Sequence, residues 1–374
     1  MGEARVIDLR SDSTELLLNP RLPAAERDRL ERIAAAVPRL AGHVWIATSG
    51  SSGPLKLVAL SKDALFASAA AVNAHLAVAQ AEVWCRPLPL FHVGGLGIDA
   101  RASLTGGRVV ELPSWSAAEF VRLLESEGVA LTALVPAQVA DIVGAEARAP
   151  RTIRAIIVGG GALDATLYAD ARRLGWPLLP SFGMTEACSQ VATAPLASLA
   201  GDEMPPLQVL SHLEVATFDG LLGIRGTSLL SGYGLEENGE VRFVDPKRDG
   251  WFITEDRADI ERSGGGLYVR PLGRSSEFVK IGGEKVSIAR LQSIVDELLR
   301  GMPGVDAAVV AVPDARLGSV IHLAVSDGSS APAIREQFDA RVAPYERARE
   351  VHVVPIPRSP LGKIRRDELL SVIP

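Results

Sequence analysis

The chain has 374 residues, of which 47% are hydrophobic, and its formal net charge is −6 at pH 7. This length suits two or three packed domains, and the acidic balance argues against the basic surface typical of nucleic-acid-binding proteins. The most apolar stretch, residues 129–143, is interrupted by Pro136, Gln138 and Asp141 and is too short to span a bilayer.

The first half of the chain alternates between short apolar runs and helical patterns. Strands are predicted at 44–48, 83–87, 108–112, 131–135, 154–158 and 177–181. Apolar residues with helical spacing follow at 117–127 and 163–174, and a charged helix is predicted at 26–36. This alternation predicts an α/β fold in which a mostly parallel sheet is covered by helices.

The second half of the chain has a different texture. From about residue 207, short strands and glycine-rich turns predominate, and residues 258–271 have the pattern of a β-hairpin. After Gly273 a smaller α+β pattern begins, with helices predicted at 288–300 and 331–342 and strands at 306–312, 320–326 and 350–354. We therefore predict a large N-terminal domain, residues 1–273, that includes a short-stranded β subdomain, and a small mobile α+β domain, residues 274–374.

The cysteines and the N-terminus indicate the compartment. Cys85 and Cys188 lie far apart without metal-ligand spacing, which favours a reducing environment. Residues 1–15 carry six charged side chains and lack the apolar core of a signal peptide. We therefore expect a cytoplasmic protein without a membrane span.

The segment "IATSGSSGPLKLVALSK", residues 46–62, concentrates glycine and hydroxyl side chains between an apolar run and a helical pattern that begins near Ser61. Gly50 and Gly53 would let backbone N–H groups turn inward, and Lys56 would add a positive charge. These features indicate a loop that binds oxygen-rich anions, with an ordinary polar turn as the alternative. It is not a Walker A motif, because Lys56 does not follow a glycine.

Five further stretches carry residue types suited to chemistry. They contain His92 in "PLFHVGG", the three glycines of "IIVGGGAL" (156–163), Thr185 and Glu186 in "SFGMTEACSQVAT", Asp256 in "DGWFITEDRADI", and Lys363 in "PRSPLGKIRRDEL". Each has a plain structural alternative, such as a core histidine, a simple turn or a solvated surface charge. Their joint order along the chain is what carries information.

In this order, the stretches resemble the acyl-adenylate-forming enzymes, which include the acyl- and aryl-CoA synthetases. Within that superfamily, "PLPLFHVGGLGIDAR" (87–101), "ALVPAQV" (133–139) and "GRSSEFVKIGGEKV" are similar to the o-succinylbenzoate–CoA ligases of menaquinone biosynthesis. The resemblance covers about residues 44–371. Two departures stand out: the part before Thr48 is shorter than in most members, and the hinge position holds Ser276 where Asp or Lys is common.

The resemblance implies a two-step reaction. ATP and a carboxylate first give an acyl-adenylate and pyrophosphate, and the CoA thiol then takes the acyl group. The residues implied as catalytic are Lys363, Thr185, Glu186 and His92, with Mg²⁺ held by Glu186. The residues implied in ATP or AMP binding are Thr48, Ser49, Gly50, Ser51, Ser52, Gly53, Lys56, Gly159, Gly160, Gly161, Ser181, Phe182, Gly183, Asp256 and Arg274.

The resemblance also implies that the small domain rotates between the two steps. Ser276 would be the pivot, and Gly282, Gly283 and Glu284 would line the channel for CoA, which His92 would gate. The expected partners are the small molecules ATP, an aryl carboxylate and CoA, with a homodimer as a further expectation and no nucleic acid.

Arg101 and Gln138 are the residues expected to contact the acid. The o-succinylbenzoate molecule has a second carboxylate, and a buried carboxylate needs a cationic or multi-donor partner. A solvated Arg101 paired with Asp99 or Glu111 is the alternative. For the function as a whole, three hypotheses stay open beside this one: a ligase for another aryl or medium-chain acid, an adenylase that loads a carrier protein, and an inactive shortened homologue acting as a binding module.

Overall fold

The computed structural model of the chain describes residues 7–37, 40–48, 55–237, 239–274, 278–281, 284–314, 316–359 and 362–373. The chain divides into two compact units. One is formed by Met1–Thr254 and Ala258–Pro271, and the other by Glu255–Arg257 and Leu272–Pro374. The domain boundary at residue 273 stays a prediction.

Helices and strands alternate through most of the described chain. The helices are α1 (Ala24–Ala36), α2 (Lys62–His75), α3 (Val93–Leu104), α4 (Ala117–Ser126), α5 (Pro136–Gly144), α6 (Ala165–Arg173), α7 (Ile288–Leu299), α8 (Ala331–Asp339) and α9 (Arg366–Val372). None of these helices, over the residues described, is long and apolar enough to cross a membrane.

The strands build three sheets. They are β1 (Glu15–Leu17), β2 (His43–Thr48), β3 (Lys56–Ser61), β4 (Trp84–Arg86), β5 (Val109–Glu111), β6 (Leu131–Leu134), β7 (Ala155–Val158), β8 (Leu178–Met184), β9 (Ser189–Thr193), β10 (Leu207–Val209), β11 (Leu213–Phe218), β12 (Leu221–Gly226), β13 (Gly232–Glu237), β14 (Glu240–Val244), β15 (Phe252–Ser263), β16 (Gly266–Arg274), β17 (Phe278–Ile281), β18 (Glu284–Ser287), β19 (Ala307–Asp314), β20 (Gly318–Val325) and β21 (Ala348–Val353).

Five neighbouring parallel strands, in the order β5-β4-β6-β7-β8, confirm the α/β prediction. Every residue of β6 and β7 is buried, as expected for strands covered on both faces. Strands β9, β10, β16, β15, β12 and β11 continue this sheet to eleven strands. The short strands between residues 207 and 274 are therefore divided: five of them extend the main sheet, whereas β13 and β14 join a separate sheet.

Helices α4, α5 and α6 share one hydrophobic core with the parallel strands. The Ser116 side chain accepts a hydrogen bond from the N–H of Glu119, which begins α4 as a helix cap. Phe120 and Leu124, one turn apart, are completely buried, and the ring of Phe120 stacks on Trp176 with centroids 6.0 Å apart. Burying each such side chain stabilises the fold by about 1.5–3 kcal/mol.

A separate five-stranded sheet, in the order β1-β2-β3-β13-β14, carries the glycine-rich segment. The predicted strand 44–48 is confirmed as β2, and the helix predicted to begin near Ser61 is confirmed as α2. A strand that was not predicted lies between the loop and this helix. Strand β3 comes first, antiparallel to β2, and Ser61 then caps α2 by accepting from the N–H of Ala64. Residues 57–60 are all buried, and periodicity does not distinguish such an apolar run from a helix.

The second unit contains a sheet in the order β18-β17-β20-β19, with β21 parallel to β20. Helices α7 and α8 bury Leu291 and Phe338 on one face of this sheet. Helix α9 buries Leu369 in a second cluster that includes Ala324 of β20. The helices and strands predicted after Gly273 are confirmed.

Candidate active site

The two ends of the predicted phosphate loop are held together by strand pairing. Thr48, the last residue of β2, lies opposite Lys56, the first residue of β3, in the antiparallel register. Lys56 therefore projects from a strand and not from the loop itself, which corrects the sequence-based placement. Ser49, Gly50, Ser51, Ser52 and Gly53 lie outside the described residues.

Tyr233 links Lys56 to Glu186. The Nζ atom of Lys56 lies 3.8 Å from the centroid of the Tyr233 ring, within the range of a cation–π interaction. The Tyr233 hydroxyl donates a hydrogen bond of 2.9 Å to Oε1 of Glu186. Strand β13 carries Tyr233 and pairs with β3, with Tyr233 opposite Val58, so the aromatic ring lies near Lys56 on β3. The structure thus brings together a lysine predicted to bind phosphate and a carboxylate predicted to bind Mg²⁺.

Glu186 lies at the tip of a tight turn between β8 and β9. Thr185–Ala187 form one turn of 3-10 helix, and the N–H of Cys188 donates to the carbonyl of Thr185 (3.1 Å). Cys188 has φ 54° and Ser189 has φ 125°, values that side-chain-bearing residues rarely adopt. A Cβ at Gly183 would overlap the carbonyl oxygen of Ser189, so only glycine allows this close approach.

The three glycines after β7 lie beside Ser181 of the neighbouring strand β8. The Ser181 hydroxyl donates to the carbonyl of Val158 (3.0 Å), and a Cβ at Gly159 would lie 2.9 Å from that hydroxyl oxygen. Gly160 has φ 81°, a left-handed conformation that favours glycine. Parallel strands present their carboxyl ends at one edge, which brings 159–161 and 181–183 together as predicted nucleotide contacts.

Gln138 closes the first turn of α5, next to these glycines. Its Oε1 accepts a hydrogen bond from the N–H of Val135 (3.0 Å), and Gln138 is buried. A Cβ at Gly160 would contact the Val135 side chain at 3.3 Å. The amide oxygen of Gln138 therefore accepts a hydrogen bond from the backbone. The role of Gln138 toward a substrate stays a prediction.

Arg101 is completely buried, with 1% of its surface exposed. Its Nη2 donates to Oε1 of Gln190 (2.8 Å) and to Oγ of Ser189 (3.3 Å), both on β9. A Cβ at Gly97, one turn earlier on α3, would lie 3.0 Å from this Nη2, so the glycine makes room for the guanidinium. The alternative of a solvated Arg101 is wrong.

The acidic partners suggested for Arg101 are used elsewhere. Asp99 lies 3.1 Å from Nε of Arg86, and Glu111 lies 3.1 Å from Nη2 of the same arginine. Within the described part of the chain, no carboxylate pairs with Arg101, and its Nε and Nη1 have no hydrogen-bond partner. Burial lowers the pKa of Arg101 to about 9, which still leaves the guanidinium charged at neutral pH.

His92 stands at the start of α3. Its carbonyl accepts from the N–H groups of Gly95 and Leu96, both at 3.0 Å, and its half-buried ring lies 4.7 Å from that of Phe91. A Cβ at Gly95 would overlap the carbonyl oxygen of Pro89, so glycine is required for the helix to begin here. The gating role of His92 stays a prediction.

Lys363 lies in a hairpin of the second unit. Its N–H donates to Oγ of Ser359 (3.1 Å), and its carbonyl accepts from the N–H of Ser359 (2.7 Å). Arg358 anchors the hairpin through Asp306, with nitrogen–oxygen distances of 2.7 and 2.6 Å. The Lys363 side chain is exposed. The backbone thus holds Lys363 opposite Ser359 in an anchored hairpin.

The remaining predicted residues of the second unit are less fully described. Asp256 is half-buried in β15. For Arg274 and Glu284 the structure describes only the backbone, in β16 and β18. Ser276, Gly282 and Gly283 lie outside the described residues.

Tyr233, Ser189 and Gln190 are functional candidates that sequence reasoning missed. Tyr233 comes from "LLSGYG", and only the pairing of β13 with β3 places it beside Lys56. Ser189 and Gln190 follow Glu186 closely, but their contact with Arg101 crosses 88 and 89 residues of chain. The available signal was a polar Ser-Gln pair directly before the apolar residues Val191 and Ala192.

Comparison with known sequences gives one family. The family model described as "AMP-binding enzyme" matches residues 6–234. A curated relative from Bacillus licheniformis, named 2-succinylbenzoate–CoA ligase, is 29% identical over 336 residues, which are 86% of this chain and 68% of the relative. A relative of the same name from Staphylococcus aureus is 28% identical over 333 residues, which are 86% and 65%. The chain therefore spans about two thirds of the length of these relatives.

Solved structures are similar over most of the chain. An o-succinylbenzoate CoA synthetase from Bacillus subtilis, in complex with ATP and magnesium ion, is 25% identical with a TM-score of 0.73, over 87% of this chain and 69% of that one. The complex of the B. subtilis synthetase with its acyl-adenylate intermediate has a TM-score of 0.80 at 23% identity, over 95% and 82%, and shares the fold.

Proposed function

Because this chain belongs to the family of AMP-binding enzymes, we propose that it is an AMP-forming acid–CoA ligase that acts on o-succinylbenzoate. The acid would first attack the α-phosphate of ATP to give an acyl-adenylate and pyrophosphate. The CoA thiol would then attack the acyl carbonyl and release AMP. The curated relatives named 2-succinylbenzoate–CoA ligase support both the acid and the acceptor.

The observation that carries this proposal is the contact of Tyr233 with both Lys56 and Glu186. The first step brings together two anions, a carboxylate and a triphosphate, so the site must supply positive charge where they meet. Lys56 offers a positive point charge at the start of β3, where the chain leaves the predicted phosphate loop. Tyr233 fixes the distance between this charge and the carboxylate of Glu186, which sets where a bound nucleotide can lie.

The donor set fits the magnesium that accompanies ATP. Mg²⁺ prefers oxygen ligands and is bound in nucleotide sites by one or two carboxylates together with phosphate oxygens. Glu186 supplies such a carboxylate, and the hydroxyl of Tyr233 holds one of its oxygens in a fixed orientation. When bound, the ion would neutralise phosphate charge. Thr185, adjacent in the same turn, is the proposed contact to the α-phosphate.

The environment of Arg101 supports a diacid substrate. A buried cation without a counter-ion is costly, and the described neighbours of this guanidinium, Ser189 and Gln190, are neutral. A substrate carboxylate in contact with Nε or Nη1, directly or through water, would provide the missing negative charge. One carboxylate of o-succinylbenzoate would be activated, and Arg101 would bind the other.

The acyl acceptor in this proposal is the thiol of CoA and not a thiol of the chain. Burial raises the pKa of Cys85 to about 12 and also raises that of Cys188, so both stay protonated at neutral pH. Neither is therefore a competent nucleophile. Both cysteines are unpaired, which agrees with the proposed cytoplasmic location. A homodimer stays a prediction.

Residues of the second unit complete the proposal. Lys363 would bring positive charge to the reacting carboxylate and phosphate, and Asp256 would bind the ribose hydroxyls with Arg274 nearby. Ser276 would act as the hinge about which the small domain rotates between the two reaction steps. Gly282, Gly283 and Glu284 would line the pantetheine channel. These roles rest on the sequence resemblance.

ATP–pyrophosphate exchange tests the proposal. We expect exchange to depend on o-succinylbenzoate, to be weaker with benzoate and a medium-chain fatty acid, and to fall strongly in Glu186→Gln. Product analysis with CoA should then show the thioester and AMP. Exchange that does not exceed the acid-free background, in folded protein, would refute adenylation and favour an inactive homologue. Exchange without thioester formation would refute CoA as the acceptor.

A further inference from the structure

Two histidines and a glutamate converge on strands β20 and β21 of the second unit. Nδ1 of His322 lies 2.8 Å from Nε2 of His352, and Oε2 of Glu350 lies 3.7 Å from that same Nε2. His322 is buried, His352 is mostly buried and Glu350 is exposed. The ligand atoms of all three lie within 4.8 Å of one another. This His-His-Glu cluster is distinct from every residue assigned to the proposed reaction.

The strand register explains why these side chains meet. His322 lies opposite Glu350 in the parallel pairing, and His352 lies opposite Ala324. The register shifts between Ile321 and His322, so that Arg349 has no partner across the ladder. Such an irregularity changes the direction in which neighbouring side chains point. Residues two apart on a strand share a face, so His322, His352 and Glu350 all project from the same side.

A hydrogen bond between the two imidazoles alone accounts for the 2.8 Å contact, but not for the carboxylate beside it. We propose that the His-His-Glu cluster binds a divalent transition-metal ion, with Zn²⁺ as the best match. Two imidazole nitrogens and one carboxylate oxygen are a known zinc ligand set that leaves a fourth position for water. Metal–nitrogen bonds of about 2.1 Å place tetrahedral ligands roughly 3.4 Å apart, so the two nitrogens need to separate by only about 0.6 Å.

The chemistry of the cluster separates it from the magnesium bound with ATP. Imidazole suits Zn²⁺, Ni²⁺ and Cu²⁺, whereas Mg²⁺ prefers oxygen ligands in octahedral geometry. His322 is buried and its Nδ1 lies 2.8 Å from Nε2 of His352, so both nitrogens are placed where one ion could contact them. The charge of Arg349 also acts on this site and limits its affinity.

Binding at this site would tie β21 to β20. His322 shares a sheet face with Ala324, which packs in one cluster with Leu369 of α9 and Ile364 of the Lys363 hairpin. A metal bridge here would therefore stabilise the face of the small unit that supports the predicted catalytic lysine. It would do so by raising the stability of the metal-bound folded state.

The test uses the untagged full-length protein in millimolar Mg²⁺ without ATP. Zn²⁺ is titrated by calorimetry, and Co²⁺ by the visible absorption of a tetrahedral site. The variants are His352→Gln and Glu350→Gln, with His75→Gln as the control because His75 hydrogen-bonds to the carbonyl of Ala194 in the other unit.

We expect one high-affinity Zn²⁺ per chain in the native protein and in the His75 control. Loss of a ligand should lower the affinity for Zn²⁺ by at least 10–100-fold, the loss typical when a residue that supports a metal ligand is replaced. The affinity should fall more in His352→Gln than in Glu350→Gln. Added Zn²⁺ should raise the thermal midpoint of the native protein but not that of His352→Gln. Equal Zn²⁺ affinity in native protein and His352→Gln, or no Co²⁺ absorption in native protein, would overturn the proposal.

Discussion

Replacing Arg101 by leucine should selectively damage use of a diacid. The guanidinium is buried, and its Nε and Nη1 are the donors available to a substrate carboxylate among the described contacts. A hydrogen bond to a charged group contributes about 1.5–3 kcal/mol, which corresponds to roughly a 10- to 150-fold change. We therefore expect Arg101→Leu to raise KM for o-succinylbenzoate by about tenfold or more.

The assay compares steady-state adenylation of o-succinylbenzoate and of benzoate, which has no second carboxylate. Activity on benzoate should change little in Arg101→Leu. Asn73→Ala is the matched control, because its side chain donates to the backbone carbonyl of Arg101 (2.9 Å) and does not contact the guanidinium. It perturbs the same helix without removing the charge. An unchanged KM for the diacid would remove Arg101 from the site and weaken the succinylbenzoate proposal.

A loss of folding must be separated from a loss of binding. Arg101→Leu leaves the buried Oε1 of Gln190 without its donor, and an unsatisfied buried acceptor costs about 1–3 kcal/mol of stability. That cost lowers the amount of folded protein and therefore affects both acids equally. Only the ratio of the two activities, measured on protein shown to be folded, reports on the second carboxylate.

Three other predictions follow from the geometry. Lys363→Ala should abolish adenylation, because it removes the positive charge proposed for the reacting carboxylate and phosphate, but should leave thioester formation from supplied acyl-adenylate largely intact. The variant should fold, because Lys363 is exposed and its hairpin is held by backbone contacts. Equal loss in both steps would contradict this. Tyr233→Phe should lower ATP–pyrophosphate exchange by about tenfold, since it removes the hydrogen bond to Glu186. Tyr233→Leu should lower exchange further, because it also removes the aromatic ring next to Lys56. Equal effects of the two changes would count against the cation–π contact. Burial lowers the pKa of His212 from 6.5 to about 4, so the unfolded chain takes up a proton that the native chain does not, and the unfolding free energy should fall as pH drops from 6.5 towards 4. Urea unfolding of His212→Gln should show a smaller fall over this range, and an equal fall would refute the assignment.

The sequence predicted the parallel half of the main sheet well, for a physical reason. Strands β6 and β7 are continuous apolar runs bounded by turn residues, and α4 has its apolar residues one turn apart. In these elements the local pattern and the tertiary burial agree. Helices α7 and α8 of the small unit were predicted equally well, because their apolar residues have the same helical spacing. Strands β19 and β20 are mostly buried apolar runs, like β6 and β7.

Elements whose surroundings come from distant residues were not predictable. Residues 57–60 of strand β3 are all apolar, and only the pairing of β3 with β2 and β13 distinguishes this run from the start of a helix. Tyr233 gains its role from Lys56 and Glu186, each of which lies more than forty residues away along the chain. The sequence left open whether Arg101 binds the acid or is a solvated helix charge, because its burial depends on Gly97 and on strand β9.

The turn between β8 and β9 connects the two ends of the proposed site. Glu186, at its start, is oriented by Tyr233, and Ser189 and Gln190, at its end, hold Arg101. The positive φ angles of Cys188 and Ser189 cost of order 1–3 kcal/mol each, a cost that the surrounding contacts must offset. A relaxed turn would leave the distance between the two ends free to vary. Reaction of two bound anions requires that distance to be fixed to within a fraction of an ångström, so the strained turn is where the fold would set the alignment of nucleotide and acid.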